Sequence, residues 1–104
     1  MIEVRIFLSE NRVKGLEVSG HSGLSEPGTD ILCAAVSVLT ENLGEAVTTL
    51  LKKKPEIKKS KGFYGLYLND NDTDTSTELL FLSAILGLRN LSEQYPERLL
   101  LLNN

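Results

Sequence analysis

The chain has 104 residues and a mass of 11.5 kDa. That is one domain, long enough to bury about two thirds of its unfolded surface without disulfides or a structural metal. Its 41% hydrophobic and 24% charged residues exclude a disordered chain, a collagen-like fibre, a coiled coil and a separate cofactor domain. Eleven basic against fourteen acidic side chains leave a net charge of -3, which argues against a surface that binds nucleic acid all over and leaves room for a local basic patch.

The elements read as follows in chain order. Residues 2–8 alternate, with Ile2, Val4, Ile6 and Leu8 on one face, so a strand with one face on a core is expected. Asn11 and Gly15 mark a turn region, and Leu16 and Val18 continue the alternation in a second, antiparallel strand. Residues 20–30, GHSGLSEPGTD, hold three glycines and a proline and read as a loop. Thr29 and Asp30 are both acceptable N-caps. Leu32, Val36, Leu39, Leu43, Val47 and Leu50 then form one stripe of an amphipathic helix. Its first turns, ILCAAVSV, are apolar nearly all round, so this end is expected to be covered on more than one side. Lys52, Lys53 and Lys54 are placed in its last turn, where cations suit the helix dipole, and Pro55 ends it.

Residues 57–60 and 63–69 read as a second hairpin around Lys61 and Gly62, its second strand central. Residues 69–74 are a polar, acidic loop. Thr75 and Glu78 have the spacing of a capping box, and a second helix follows with Leu80, Ala84, Leu88, Leu91 and Tyr95 on one stripe, stopped by Pro96. The tail RLLLLNN is short and apolar, suited to a strand or to packing on a partner subunit. Strand, strand, helix, strand, strand, helix predicts an α+β two-layer sandwich, an antiparallel four-stranded sheet with two helices, as a single domain over residues 1–104.

The N-terminus MIEVRIFLSE lacks the basic and apolar regions of a signal peptide, and no apolar run reaches the roughly 18 residues of a membrane span. With one cysteine, Cys33, no intramolecular disulfide is possible, so a cytoplasmic protein with a reduced thiol and no membrane partner is expected. His21 is the single histidine. Thiol and imidazole chemistry therefore has unique candidates here.

Cys33 falls in the first turn of the predicted helix, where orphan amides and the positive dipole end favour a thiolate. His21 lies twelve residues earlier, and a folded-back loop could bring imidazole to sulfur, the minimal activated cysteine nucleophile. Amides at the helix start could stabilise an oxyanion. Each of these residues also has a plain structural reading. A cysteine in CAAV suits a small core position, and a lone histidine is commonly structural. Asp30 is explained by capping alone, or it could orient His21 as the third group of a triad. Ser37, one turn after Cys33, could bond within a site or back to a helix carbonyl. One Cys, one His and one Asp are too few soft ligands for a metal without a dimer. The loop glycines lack both the P-loop lysine and the dinucleotide spacing, so no cofactor is expected. Six of the seven lysines lie between residues 52 and 61, a solvated face or an electrostatic patch for ribosomal RNA or an acidic peptide.

The run GHSGLSEPGTDILCAAVS, residues 20–37, resembles the signature of the ribosomal-processing cysteine protease family (Prp, YsxB-like). That pattern is Gly-His, a glycine, a second glycine before the Asp, and Asp-x-x-Cys-Ala-Ala-Val-Ser. Length and element order agree, so the resemblance covers essentially the whole chain. One departure is Ser22, where the family usually has alanine. The resemblance implies a cysteine endopeptidase that removes the N-terminal extension of a large-subunit ribosomal protein, cutting after an aromatic residue. It implies that His21 and Cys33 are the catalytic pair, with Asp30 and Ser37 in supporting motif positions. It further implies a substrate loop that includes Gly20, Ser22, Gly23 and Gly28, a homodimer, and a ribosomal protein precursor as peptide substrate. Residues 22–29 are expected to be mobile and to order around an extended peptide. Two other readings stand beside this one. The first is a non-enzymatic ribosome-assembly or RNA-binding module using the Lys52–Lys61 cluster. The second is a thioester or amide hydrolase acting on small molecules.

Overall fold

The structure, a computed structural model, describes residues 1–21, 23 and 30–103. Strands β1 (Ile2–Ser9) and β2 (Arg12–Gly20) lead to helix α1 (Ile31–Glu45), which runs on as one wider π turn over Ala46–Leu50. Then come β3 (Glu56–Ser60), β4 (Phe63–Tyr67), helix α2 (Thr75–Gln94) and β5 (Leu99–Asn103). The fold is α+β. The sheet, however, has five strands in the order β3-β4-β2-β1-β5 instead of four, and β5 pairs parallel to β1 while the other neighbours are antiparallel. The extra strand was hard to read because LLLLN has no period-two alternation. Its partner lies almost the full chain length away, Ile2 opposite Leu99, with α2 as the crossover that parallel pairing requires. β4 is interior as expected, though the middle strand is β2.

The first hairpin closes on Glu10 and Asn11, with φ of 53° and 66°, the left-handed pair that a two-residue turn demands. Gly15, expected in the turn, lies inside β2. Pairing passes from Phe7–Gly15 to Leu8–Val13, so Lys14 is an extra, bulged residue. The bulge resets the alternation, and Val13 and Leu16, three apart in sequence, both reach the core. Leu8 is left 49% exposed, off the buried face to which strict alternation assigned it.

One core joins sheet and helices. From α1 it takes Leu32, Val36, Leu43 and Val47, with Thr40 buried between them and its hydroxyl bonded to the Val36 carbonyl at 2.9 Å. Leu50, assigned to the same stripe, is 72% exposed, because the π turn rotates it off the buried face. From α2 the core takes Phe81, Ala84, Ile85 and Leu88, with Leu80, Leu91 and Tyr95 partly buried against it, so the stripe is wider than the one expected and takes in Phe81 and Ile85 as well. Part of the outer side of α1 is exposed, Ile31 by 69% and Val38 by 67%, against the expectation of coverage on more than one side. By length and composition Ile31–Leu50 could cross a membrane, but here it is the core helix of the sandwich.

Helix ends also differ from expectation. Lys52 takes a left-handed φ of 56° after the π turn, so Lys52–Lys54 follow the helix instead of ending it. The second capping box is built from Asp74 and Thr77, not Thr75 and Glu78. Thr77 N–H donates to Asp74 Oδ1 and Asp74 N–H to Thr77 Oγ1, both at 2.9 Å. An Asp at the cap outcompetes the neighbouring Thr, and Glu78 is used elsewhere, accepting the bulge-flanking Val13 N–H at 2.7 Å. Lys53 reaches across to Asp74 at 2.7 Å, tying the end of α1 to the start of α2.

Two predictions follow from this frame. Gly44 is buried on α1, and a β-carbon there would fall on the Tyr64 hydroxyl. Gly44→Ala should therefore lower unfolding free energy by about 1–3 kcal/mol despite alanine's better helix propensity, as read by denaturant titration. The Asp74 carboxyl is held below its ordinary range, first by Lys53 and then by the Thr77 amide. Its stabilisation is complete above the unfolded value of about 4 and is lost as pH falls through the lower folded value. Asp74→Asn should flatten that acid limb in unfolding curves between pH 5 and 2.

Candidate functional site

The strand register brings several chain ends to one end of the sheet. Ile2 pairs with Gly20, Ser19 with Phe63, and Ser60 with Phe63. His21 leaves β2 at that end. Gly20 adopts φ of 95°, and a β-carbon there would overlap the Met1 carbonyl, so only glycine lets β2 finish against the start of β1.

α1 begins at the same end. Asp30, 6% exposed, is its N-cap and accepts the Cys33 N–H on Oδ1 at 3.0 Å. The capping reading is thus met in the geometry. Because the cap bond goes to the third helical residue, Cys33 is held in the first turn by its own amide. That amide is engaged with Asp30, and the Ala34 amide bonds the Asp30 carbonyl at 3.1 Å.

A cavity of about 600 Å³ opens between the first half of α1, the end of β2 and the β3–β4 hairpin. His21, Gly20, Gly23, Asp30, Cys33 and Ser37 all line it. Cys33 is half-buried against the core, while His21 and Ser37 are exposed. Ser22 and Gly28, with the expectation of a mobile loop over 22–29, lie outside the described residues apart from Gly23. Among the described residues no cluster of three or more His, Cys, Asp and Glu could hold a metal ion.

Sequence reasoning missed one wall. Lys59, Ser60, Lys61, Gly62, Phe63 and Tyr64 of the second hairpin line the cavity, and Thr40 and Glu41 extend it along α1. Glu41 meets Lys59 at 2.6 Å, an ion pair spanning α1 and β3 at the far end. Both partners are substantially exposed, so it adds little stability and chiefly sets local charge. Burial pushes the Tyr64 phenol up, with Glu41 and Glu45 adding to the shift, so Tyr64 is a neutral part of the wall. The Lys61-Gly62 turn was legible; that it folds against the only histidine was not.

The comparisons with known proteins come to one family. Residues 1–99 match the family model for cysteine protease Prp. The chain is 28% identical over 101 residues to the ribosomal processing cysteine protease Prp of Staphylococcus aureus, covering 95% of each. Its fold superposes on the crystal structure of an essential ribosomal processing protease Prp from S. aureus in complex with a covalently linked product peptide, with a TM-score of 0.92, 24% identity and full coverage of both chains. It also superposes on SMU.848 from Streptococcus mutans, with a TM-score of 0.85 and 30% identity over 100% of this chain and 99% of that one.

Asp30 generates the test here. Asp30→Ala should cost about 1 kcal/mol of stability through the lost cap, and Asp30→Asn, which keeps a capping oxygen, should recover most of it in thermal unfolding. Equal losses in the two variants would mean that the carboxylate charge, and not the cap bond, stabilises this position.

Proposed function

The chain belongs to the cysteine protease Prp family, and we propose that this cysteine protease removes the N-terminal extension of a large-subunit ribosomal protein by Cys33–His21 acyl transfer. One observation carries the residue assignment. The only thiol and the only imidazole in the chain line the same cavity, one at a helix start and one at a strand end. The naming of the S. aureus relative as a ribosomal processing protease, and its covalently linked product peptide, support a ribosomal protein precursor as the peptide substrate.

The steps balance without a further reactant except water. His21 takes the proton from the Cys33 thiol. The thiolate attacks the scissile carbonyl carbon and forms the C–S bond, giving a tetrahedral oxyanion. Amides near the start of α1 stabilise that charge. Collapse of the intermediate breaks the C–N bond, and the His21 imidazolium gives its proton to the departing amine. Water, deprotonated by His21, then hydrolyses the thioester and restores the thiol. Ser37 takes a supporting place one turn along the same helix, and Gly20 and Gly23 border the peptide path.

The reading extends to a cytoplasmic location and to a homodimer, the latter supported by the exposed Ile31 and Val38 on α1. It leaves little for an RNA-binding module. Lys53 and Lys59 are paired with Asp74 and Glu41, and Lys58 sits 5.6 Å from the Tyr67 ring centroid.

Incubation of a precursor ribosomal protein bearing its N-terminal extension, followed by intact-mass spectrometry, tests the proposal. The expected result is one defined shortening after an aromatic residue. Cys33→Ala and Cys33→Ser should fold normally and leave the precursor whole, and His21→Ala should slow cleavage by at least roughly a hundredfold. Turnover by either Cys33 variant, or binding of the precursor without any cleavage by the parent protein, would overturn it.

A further inference from the structure

We propose that Gly62, at the tip of the β3–β4 hairpin, is a positioning residue that sets the orientation of the His21 imidazole; the inference rests on His21 acting as the base. Two independent contacts support it. The Gly20 N–H donates to the Gly62 carbonyl at 3.0 Å, so the hairpin tip is bonded to the main chain one residue before His21. The Nε2 end of the ring also occupies the space beside Gly62 that a side chain would enter. A β-carbon on Gly62 would stand 3.2 Å from His21 Nε2, 3.7 Å from Cε1 and 4.0 Å from Cδ2.

The first contact fixes where the histidine backbone emerges, and the second limits where its ring can lie. An exposed histidine at a strand end has several rotamers open to it. Backbone close to the Nε2 end of the ring removes some of them without adding a side chain that would intrude on the cavity. The hairpin contributes Lys61, Gly62 and Phe63 to that cavity, so it is both a wall of the site and a support for the base.

Glycine at 62 has two separable causes. Its φ of 76° favours glycine on backbone grounds alone. The room for the imidazole is a second cause, and a β-carbon at 3.2 Å is tighter than ordinary packing, so the ring would have to move. Asparagine tolerates a left-handed φ far better than alanine yet brings the same β-carbon. Gly62→Asn therefore tests the ring contact with the turn preserved, and Gly62→Ala adds backbone strain.

The chain offers a direct probe, because His21 is the only histidine and its ring signals in carbon-proton NMR need no assignment. Three readouts apply to Gly62→Asn: the His21 ring signals against pH and the kcat and KM on the precursor protein in the parent background, and the rate of Cys33 alkylation by iodoacetamide against pH in both the parent and the His21→Ala backgrounds. We expect shifted ring signals, KM within about twofold, and kcat lower by roughly ten- to a hundredfold, the scale of a misplaced catalytic group. Alkylation at neutral pH should slow in the parent background and show no further change once His21 is absent. A folded Gly62→Asn protein with unmoved ring signals and unchanged kcat overturns the inference, as does an equal fractional loss of alkylation in both backgrounds. If Gly62→Asn unfolds the chain by circular dichroism, the turn needs glycine for its backbone alone, which also overturns it. Failure of the underlying reading looks different: His21→Ala would then cleave as fast as the parent.

Discussion

The Asp30 carboxylate, almost wholly buried, accepts the amide of Cys33 at 3.0 Å, and the geometry of the site is set from that bond. A helix start leaves amides without intrahelical partners, and a side-chain oxygen at the cap satisfies one of them. Which amide it takes determines where the helix begins. Here it takes the third, so the thiol projects from the first turn, near the positive end of the helix dipole. The burial of Leu32 and Val36 in the core orients that first turn so that Cys33 borders the cavity His21 lines. A cap usually explained by stability thus also fixes the position of the nucleophile.

The sheet meets that helix start with equal constraint. β2 is the middle strand, so its register is held on both sides, by β1 and by β4. A slip of one residue would turn Leu16 out of the core and Glu17 into it. With the register locked, Gly20 arrives against the Met1 carbonyl and His21 leaves the strand at the mouth of the cavity. Helix and sheet are therefore separate supports for the two reacting groups. Their relative placement depends on the packing of Leu32, Val36, Leu43 and Val47 into the common core.

Much of this was legible in the sequence, for specific reasons. Period-two alternation from Ile2 onward marks the first strand, and the four-three spacing from Leu32 marks the first helix. A chain with one Cys and one His makes the pair unambiguous, and their spacing within the Gly-His to Cys-Ala-Ala-Val-Ser run points to a family. What stayed hidden is non-local. β5 pairs parallel with a strand at the other end of the chain, and the Val13 amide beside the bulged Lys14 is accepted by Glu78, far along the chain. The widening of the α2 stripe to Phe81 and Ile85 depends on which faces meet the sheet and α1. Gly62 reads as a turn glycine from sequence, and nothing local in Lys61-Gly62-Phe63 says that a histidine forty residues earlier lies on it.

The apolar character of α1 is resolved by dividing the helix into faces. Composition alone makes Ile31–Leu50 resemble a membrane span. In the fold, Leu32, Val36, Leu43 and Val47 are buried, Cys33, Ser37, Thr40 and Glu41 border the cavity, and Ile31, Ala34 and Val38 face outward. Each fully buried aliphatic side chain contributes about 1.5–3 kcal/mol of transfer free energy, so the first of these faces holds the helix on the sheet. The cavity face contributes little of that anchoring, since Cys33 is only partly buried and Ser37 and Glu41 touch solvent. Residues there can be chosen for chemistry because the residues one position away, Leu32 and Val36, do the packing. The same division explains why a small thiol, and not a large apolar side chain, can occupy the first turn of a core helix without weakening the fold.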